Sequence, residues 1–517
     1  LIVRSSWSGI ALAVIAGALA VPAYAPLYAW PLVIISLVGL FGLWQRSTSP
    51  AHASAIGFAW GLGLFLVGVP WLYVSLHTYG DMPAPLAAIA IFLFCAYLSL
   101  FPALAGYVQA KIRCGPIWRL VLLMPAAFVA AEAFRGWFVT GFPWLIAGYT
   151  QTPGFAPAPL AGLAPLFGVF GISLVLAMTA GALVLGSARL STLAPTARLR
   201  RWLFTAGAVV WGLAPLLGRV EWTAPSAAPV AVSLLQGNVP QNLKWREDQA
   251  AASLENYLQL VEQSRGKLIV LPETALPFML DRLPPSVTAA MASRARTNGG
   301  DVLLGVVFRD ASPATDGNQR YFNGAVAFGT SPIQQYAKHH LVAFGEFVPP
   351  LFSWVYRWLK IPLSGFTPGA EVQPPMQIGG HTVAVNICYE DAFGAEIVRS
   401  LPAAELLINM SNMAWFGTYL AADQHAQLSQ MRALESGRWM LRATNTGVTA
   451  AINDKGEIVA SLPQFSRGVL EVSATPMRGA TPYSRWRDWP ILMLVAILII
   501  GSGLAARYWG EYSHKIR

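Results

Sequence analysis

The chain has 517 residues, of which 55% are hydrophobic and only 12% charged, against roughly 25% charged in a soluble globular protein. That composition excludes a disordered chain, a collagen-like repeat and an ordinary water-soluble enzyme, and it points to a membrane protein. The net charge of +10 reads as a topology signal with no nucleic-acid partner expected, and three cysteines are too few for a disulfide framework or a multi-cysteine zinc module.

Long apolar runs crowd both ends of the chain and are missing from its middle. Seven precede residue 220, at about 7–24, 30–44, 54–76, 85–110, 117–134, 163–186 and 202–218, and an eighth covers about 489–506. A helix needs about 20 apolar residues to cross the hydrocarbon core, and all but the short second run meet that length. The expectation is a multi-pass α-helical membrane bundle with 8 transmembrane helices. Positive charge falls on alternate connections: Arg46; Lys111, Arg113 and Arg119; Arg189, Arg198, Arg200 and Arg201. Arg4 precedes the first run, and Arg507, Lys515 and Arg517 follow the last. The other short connections hold only Asp81 and Arg135. By the positive-inside rule, the basic connections and both termini are cytoplasmic, and residues 220–485 lie on the far side, the periplasm of a bacterium. The first run, with Arg4 before it and Ala23-Tyr24-Ala25 after it, also matches a signal peptide; it is expected to be retained. Within the fifth run, Glu132 and Arg135 share a helix face at (i, i+3). They read as a bundle-stabilising pair near the interface, with a functional intramembrane pair as the alternative.

The chain thus divides into a seven-helix bundle (1–219), an exported domain (220–485), and an eighth helix with a cytoplasmic tail (486–517). The exported domain has the pattern of an α/β fold. Candidate strands are Val230–Leu235, Leu268–Leu271, Val302–Val307, Ala325–Phe328, Val383–Ile387, Leu406–Asn409 and Val448–Ile452. Helical stretches intervene, notably Arg246–Arg265 and Tyr419–Arg438, and strands alternating with helices suggest layered packing.

Cys388 ends the alternating run His381-Thr-Val-Ala-Val-Asn-Ile. A residue where a strand stops and the chain turns is exposed at a sheet edge, the usual station of a nucleophile. It is also the only cysteine of the exported domain, the others being Cys95 and Cys114. A lone thiol in an oxidising compartment is either buried as core or put to use. A working thiol needs a base, and among His339, His340, His381 and His425 no spacing singles one out. Glu273 ends a predicted strand between two prolines, in Leu-Pro-Glu-Thr-Ala-Leu-Pro. Lys338 precedes two histidines and an apolar stretch, where an ammonium could hold an oxyanion. Taken singly, each of these two is better explained as a solvated surface charge.

Together the three segments change the reading. Leu-Pro-Glu-Thr-Ala at Glu273, Tyr-Ala-Lys-His-His-Leu-Val-Ala-Phe-Gly-Glu-Phe-Val-Pro at Lys338 and Ile-Cys-Tyr-Glu-Asp at Cys388 resemble the Glu-Lys-Cys triad of the nitrilase superfamily. With the membrane frame, the chain resembles that superfamily's membrane-bound branch, the apolipoprotein N-acyltransferases, over essentially its whole length. Supporting segments are Gln236-Gly-Asn-Val-Pro-Gln241 through Trp245, Phe142-Pro-Trp144, Ser411-Asn-Met-Ala-Trp-Phe-Gly417, Met431-Arg-Ala-Leu-Glu435 and Ala443-Thr-Asn-Thr-Gly447. Two departures stand out: Met413 where the family commonly has an acid, and Ala343 where it often has proline. Neither touches the triad.

The resemblance implies a nitrilase-like α-β-β-α sandwich in the periplasm of a bacterial cell inner membrane protein. It implies transfer of a fatty acyl chain from a phospholipid, through a thioester on Cys388, to the free α-amino group of a lipoprotein's N-terminal diacylglyceryl-cysteine. Glu273 would be the base and Lys338 an oxyanion donor. Glu346 would orient Lys338 or serve as an ordinary ion-pair partner. Tyr389, Glu390, Asn412 and Trp415 match pocket residues. Trp245 and the stretch Leu351–Lys360, with Trp354, Val355, Trp358 and Leu359 at helical spacing, would rest on lipid; a core helix is the alternative for the latter. Neither metal nor cofactor is needed, because a thioester is converted downhill to an amide, and a monomer suffices. A membrane-tethered amidase using water as acceptor, and a transporter, are the rival readings.

Overall fold

The computed structural model describes residues 6–155, 157–187, 197–244, 246–310, 319–349 and 365–515. It divides into two compact units, one drawn from Leu1–Pro70, Pro85–Val220 and Trp486–Arg517, the other from Trp71–Ala84 and Glu221–Arg485. Trp245 and the 351–360 stretch lie outside the described residues.

In the first unit and at its junctions, four described helices are long and apolar enough to cross a membrane: Pro50–Gly68, Ala84–Lys111, Pro116–Arg135 and Ala161–Ser187. Shorter apolar helices at Trp7–Ala23, Pro31–Gln45, Arg201–Leu217 and Trp489–Leu504 fall on the remaining apolar runs. The helix on the third run breaks after Gly68, and helical turns resume over Leu72–Val74 and Ser75–Tyr79, so the predicted span to residue 76 is interrupted and not continuous. Pro70 explains the stop, because proline pushes the preceding residue out of the α region and lacks an N–H of its own. The helix starts cleanly, with the Ser49 hydroxyl accepting the His52 N–H at 3.1 Å and Pro50 in its first turn.

Small residues let these helices touch backbone to backbone. A Cβ on Gly17 would sit 1.9 Å from the Trp60 carbonyl oxygen, and one on Gly63 would sit 2.0 Å from that of Val14. Polar groups tie the same region: Trp60 Nε1 donates to Ser36 Oγ at 2.9 Å, and Ser36 Oγ donates to the Ala16 carbonyl at 2.6 Å. Glu132 and Arg135 both serve a neighbouring turn. Glu132 Oε1 accepts the Ala147 N–H at 2.8 Å, and Arg135 Nη1 donates to the carbonyls of Phe142 and Trp144. The Phe142-Pro-Trp144 segment is thereby held from the helix end.

The second unit is built on two six-stranded mixed sheets. The first runs Gly468–Ala474, Val230–Gln236, Leu268–Val270, Asp301–Arg309, Tyr321–Gly329, Gln334–Ala337 in spatial order. The second runs Ile458–Ser461, Ala450–Ile452, Met440–Thr444, Leu406–Ser411, His381–Ile387, Met376–Ile378. Central parallel pairs, such as Val230–Gln236 with Leu268–Val270, are covered on both faces and so read as unbroken apolar runs. Facing side chains of the two sheets form one core, with Leu234, Val270, Val383 and Ile408 among its members. A second core lies between the first sheet and the helices Glu247–Gln263 and Pro285–Thr297. A third, smaller one packs the other sheet against Ile397 and Ala433. The layers are therefore helix, sheet, sheet, helix. The segment Trp71–Ala84 belongs to this unit, although in the chain it follows one apolar helix and leads into the next.

Candidate active site

Three chain segments that end or follow strands meet at one point. Glu273 follows Leu268–Val270, Lys338 follows Gln334–Ala337, and Cys388 follows His381–Ile387. Lys338 Nζ lies 3.5 Å from Glu273 Oε1 and 2.8 Å from Glu346 Oε2. The ammonium is 1% exposed. Burial by itself would lower its pKa, but Glu346, Glu273 and Cys388 around it outweigh that and raise it, so it is a permanent buried cation.

Both carboxylates are held by the same amide. Asn323 Nδ2 donates to Glu273 Oε1 at 2.7 Å and to Glu346 Oε1 at 2.6 Å. Glu273 Oε2 accepts the backbone N–H of Asn412 at 2.9 Å, and Glu346 Oε2 that of Val342 at 2.8 Å. Asn412 is fixed in turn: its Nδ2 donates to Gln241 Oε1 at 2.8 Å, and its Oδ1 accepts Asn445 Nδ2 at 3.1 Å. The asparagine and glutamine of three separate predicted motifs thus form one network beneath Glu273.

Cys388 adopts φ +53°, a left-handed conformation that costs a non-glycine residue about 1–2 kcal/mol. The sharp turn leaves the residue partly accessible. Its surroundings still push the thiol pKa well up, through burial first and then Glu273, with Lys338 pulling the other way. Two donors hold its carbonyl: Asn409 Nδ2 at 3.0 Å and His425 Nε2 at 3.0 Å. His425 Nε2 also lies 2.7 Å from Asp391 Oδ1, and Arg442 Nη2 lies 3.3 Å from its Nδ1. Two acceptors at Nε2 and a donor at Nδ1 assign the proton to Nε2. Arg442 Nη1 reaches Asp391 Oδ2 at 2.8 Å, and Ser429 bonds both. Burial opposes ionisation of Asp391, yet His425, Arg442 and Ser429 outweigh it and hold the carboxyl below its usual range. Met413 packs its sulfur 3.1 Å from His425 Nδ1.

Glu390 braces the nucleophile's turn to the lysine's loop. Its carboxylate accepts the N–H groups of Ile387, His339 and His340 and the Tyr336 hydroxyl. Burial raises it, against Lys338 and these N–H groups. Tyr389 is partly exposed and packs edge-on against Phe393, with ring centroids 5.1 Å apart. Trp415 lies three residues beyond Asn412 and is also partly exposed.

Reading the sequence missed three contributors. Asn323 sits inside an apolar strand. His425 was one of four equivalent histidines. Lys244 is fully buried, 2.8 Å from the Thr274 hydroxyl and 3.4 Å from the Glu273 carbonyl oxygen; burial lowers it to about 8, against the pull of Glu273. The position beside Trp245 was its only signal. Among the described residues no group of His, Cys, Asp and Glu is arranged to hold a metal.

Comparison with known proteins gives two family matches. Residues 16–182 match the apolipoprotein N-acyltransferase N-terminal domain, and residues 231–482 match the carbon-nitrogen hydrolase family. A protein of Nitrosomonas europaea, named apolipoprotein N-acyltransferase, is 44% identical over 492 residues, covering 95% of this chain and 96% of its own. One of Methylococcus capsulatus with the same name is 43% identical, covering 98% of both chains.

Proposed function

The chain belongs to the apolipoprotein N-acyltransferase family and is a membrane acyltransferase of lipoprotein N-acylation, and we propose that it works by a ping-pong reaction at Cys388. The observation that carries this reading is the buried Glu273–Lys338–Glu346 set beside a partly accessible cysteine in a strained turn.

The resting thiol is neutral, because its surroundings raise it. Glu273 takes the proton as sulfur attacks the ester carbonyl of a phospholipid, so little free thiolate has to accumulate. Lys338 holds the tetrahedral oxyanion with a backbone N–H near Cys388; one such donor is worth about 10²–10³ in rate. The ester C–O bond breaks, the thioester C–S bond forms, and Glu273 passes the proton to the departing lysophospholipid. In the second half, the α-ammonium of a diacylglyceryl-cysteine loses one proton to solvent. Glu273 takes a second as nitrogen attacks the thioester and returns it to sulfur as the C–S bond breaks, the third staying on the amide nitrogen. Glu346 orients Lys338 throughout. Glu390, Tyr389, Asn412 and Trp415 shape or support the pocket.

The same reading takes the eight apolar helices as eight crossings of a bacterial inner membrane. The catalytic unit is periplasmic, both termini are cytoplasmic, and a monomer is the working form. Support comes from the alternation of basic and sparsely charged connections. The test is the fate of the isolated thioester. A diacylglyceryl peptide with a free amine discharges it far faster than water does; equal rates would make the protein a hydrolase.

A further inference from the structure

Trp71, which follows the helix Pro50–Gly68, belongs to the catalytic unit and is 3% exposed there. Its contacts reach both chain segments that hold the site. Its ring meets Phe416 edge-on, with centroids 4.9 Å apart and planes at 76°. Its Nε1 donates to Gln424 Oε1 at 3.2 Å. Phe416 closes the one-turn helix Met413–Phe416, which begins right after Asn412, the residue whose N–H holds Glu273. Gln424 precedes His425, which holds the Cys388 carbonyl. Two further residues of the segment grip the same turn. Tyr79 meets Trp415 edge-on at 5.9 Å, and a Cβ on Gly417 would lie 3.3 Å from Val74 Cγ1.

From within, that turn is capped by Asn412, whose Oδ1 accepts the Ala414 N–H at 3.4 Å. It is a single 3-10 turn of four residues, and Gly417 after it takes φ +66°; such short pieces owe their shape to what packs on them. Trp71, Val74 and Tyr79 pack on Phe416, Gly417 and Trp415.

We propose that Trp71 is a positioning residue for the reaction: through Phe416 it fixes the turn that aims Glu273, and through Gln424 it fixes the helix that carries His425 to Cys388. A residue from the apolar half of the chain thereby sets the spacing of base and nucleophile. The inference rests on the reading of Glu273 as base and Cys388 as nucleophile.

The experiment uses the full-length protein with vesicles of a single diacyl phospholipid. It follows acyl-Cys388 formation by rapid quench and intact mass, for wild type, Trp71→Ala, Trp71→Phe and Tyr79→Ala. Trp71→Ala should acylate at least 10-fold more slowly at saturating phospholipid, with its KM changed less than threefold. Trp71→Phe keeps the edge-on ring and should recover to within about threefold of wild type. Tyr79→Ala should fall in the same direction by less. An unchanged acylation rate in Trp71→Ala overturns the proposal, as does a rise in KM alone. If Trp71→Ala does not fold, a full rate in Tyr79→Ala overturns it equally. Wild type forming no adduct at Cys388 sinks the underlying reading instead, so the two failures are distinguishable.

Discussion

Glu390 Oε2 accepts the backbone N–H of Ile387 at 2.7 Å, so the residue just before the nucleophile is tied to the carboxylate two residues after it. The other oxygen takes the N–H groups of His339 and His340, and one side chain thereby sets the distance between Cys388 and Lys338. Glu390→Gln keeps the shape but turns an NH2 toward donors. A hydrogen bond to a charged group is worth about 1.5–3 kcal/mol, so acyl-enzyme formation should slow by roughly 10–100-fold. Single-turnover mass measurement checks this; an unchanged rate means the brace is dispensable.

Lys338 pairs with both Glu273 and Glu346, at 3.5 and 2.8 Å. Lys338→Met leaves two buried carboxylates facing each other, at a cost of about 3–5 kcal/mol in stability and roughly 10²–10³ in acylation rate. Because its folded pKa is raised, the stabilisation is complete below the unfolded lysine value of about 10.4 and fades only at higher pH. Denaturant titration at neutral pH reads the stability, and a variant as stable as wild type contradicts the assignment.

Cys388 carries a raised thiol pKa, from burial first and Glu273 second. Less thiolate is present than in free cysteine at any given pH, and the fraction grows tenfold per pH unit below the pKa. Alkylation by iodoacetamide should therefore climb about tenfold per unit from pH 7 to 9 without levelling off. A plateau below pH 8 would show an activated resting thiolate, contrary to proton transfer during attack.

Much of this site was legible because its reactive groups sit where strands end. Glu273, Lys338 and Cys388 each interrupt an apolar run with a polar residue, and a sheet edge is where such a residue finds room. Strands Val230–Gln236 and Leu268–Val270 were equally plain, being buried on both faces. Met440–Thr444 was not, because fully buried Arg442 breaks its apolar pattern, and the carboxylate that pairs with that arginine, Asp391, is 51 positions away in the chain. In edge strand Gly468–Ala474 only Ala474 is buried, and Glu471 and Ser473 are exposed, so it lacks the unbroken apolar run of the central strands. Trp71 read as the tail of a membrane helix, since only Pro70 marks the end of that helix and hydropathy does not register a change of partner.

Asp391 pairs with Arg442 and His425 in a fully buried cluster. Its pKa is held below the usual value, so its stabilisation is full above about pH 4 and is lost as pH falls through the folded value. Asp391→Asn strands Arg442 and should lose about 3–5 kcal/mol at pH 7. The gap between wild type and variant should narrow below about pH 4. Thermal midpoints across pH 3–7 read it, and a gap independent of pH would mean that the carboxylate is not the anion holding Arg442.

The most direct test of the account is the intact mass of the purified full-length protein after incubation with phospholipid alone, for wild type and Cys388→Ala. One added fatty-acyl mass in the wild type, absent in the variant, is the predicted result. A folded wild type that gains no mass, or a variant that gains the same mass, would contradict Cys388 as the acyl carrier.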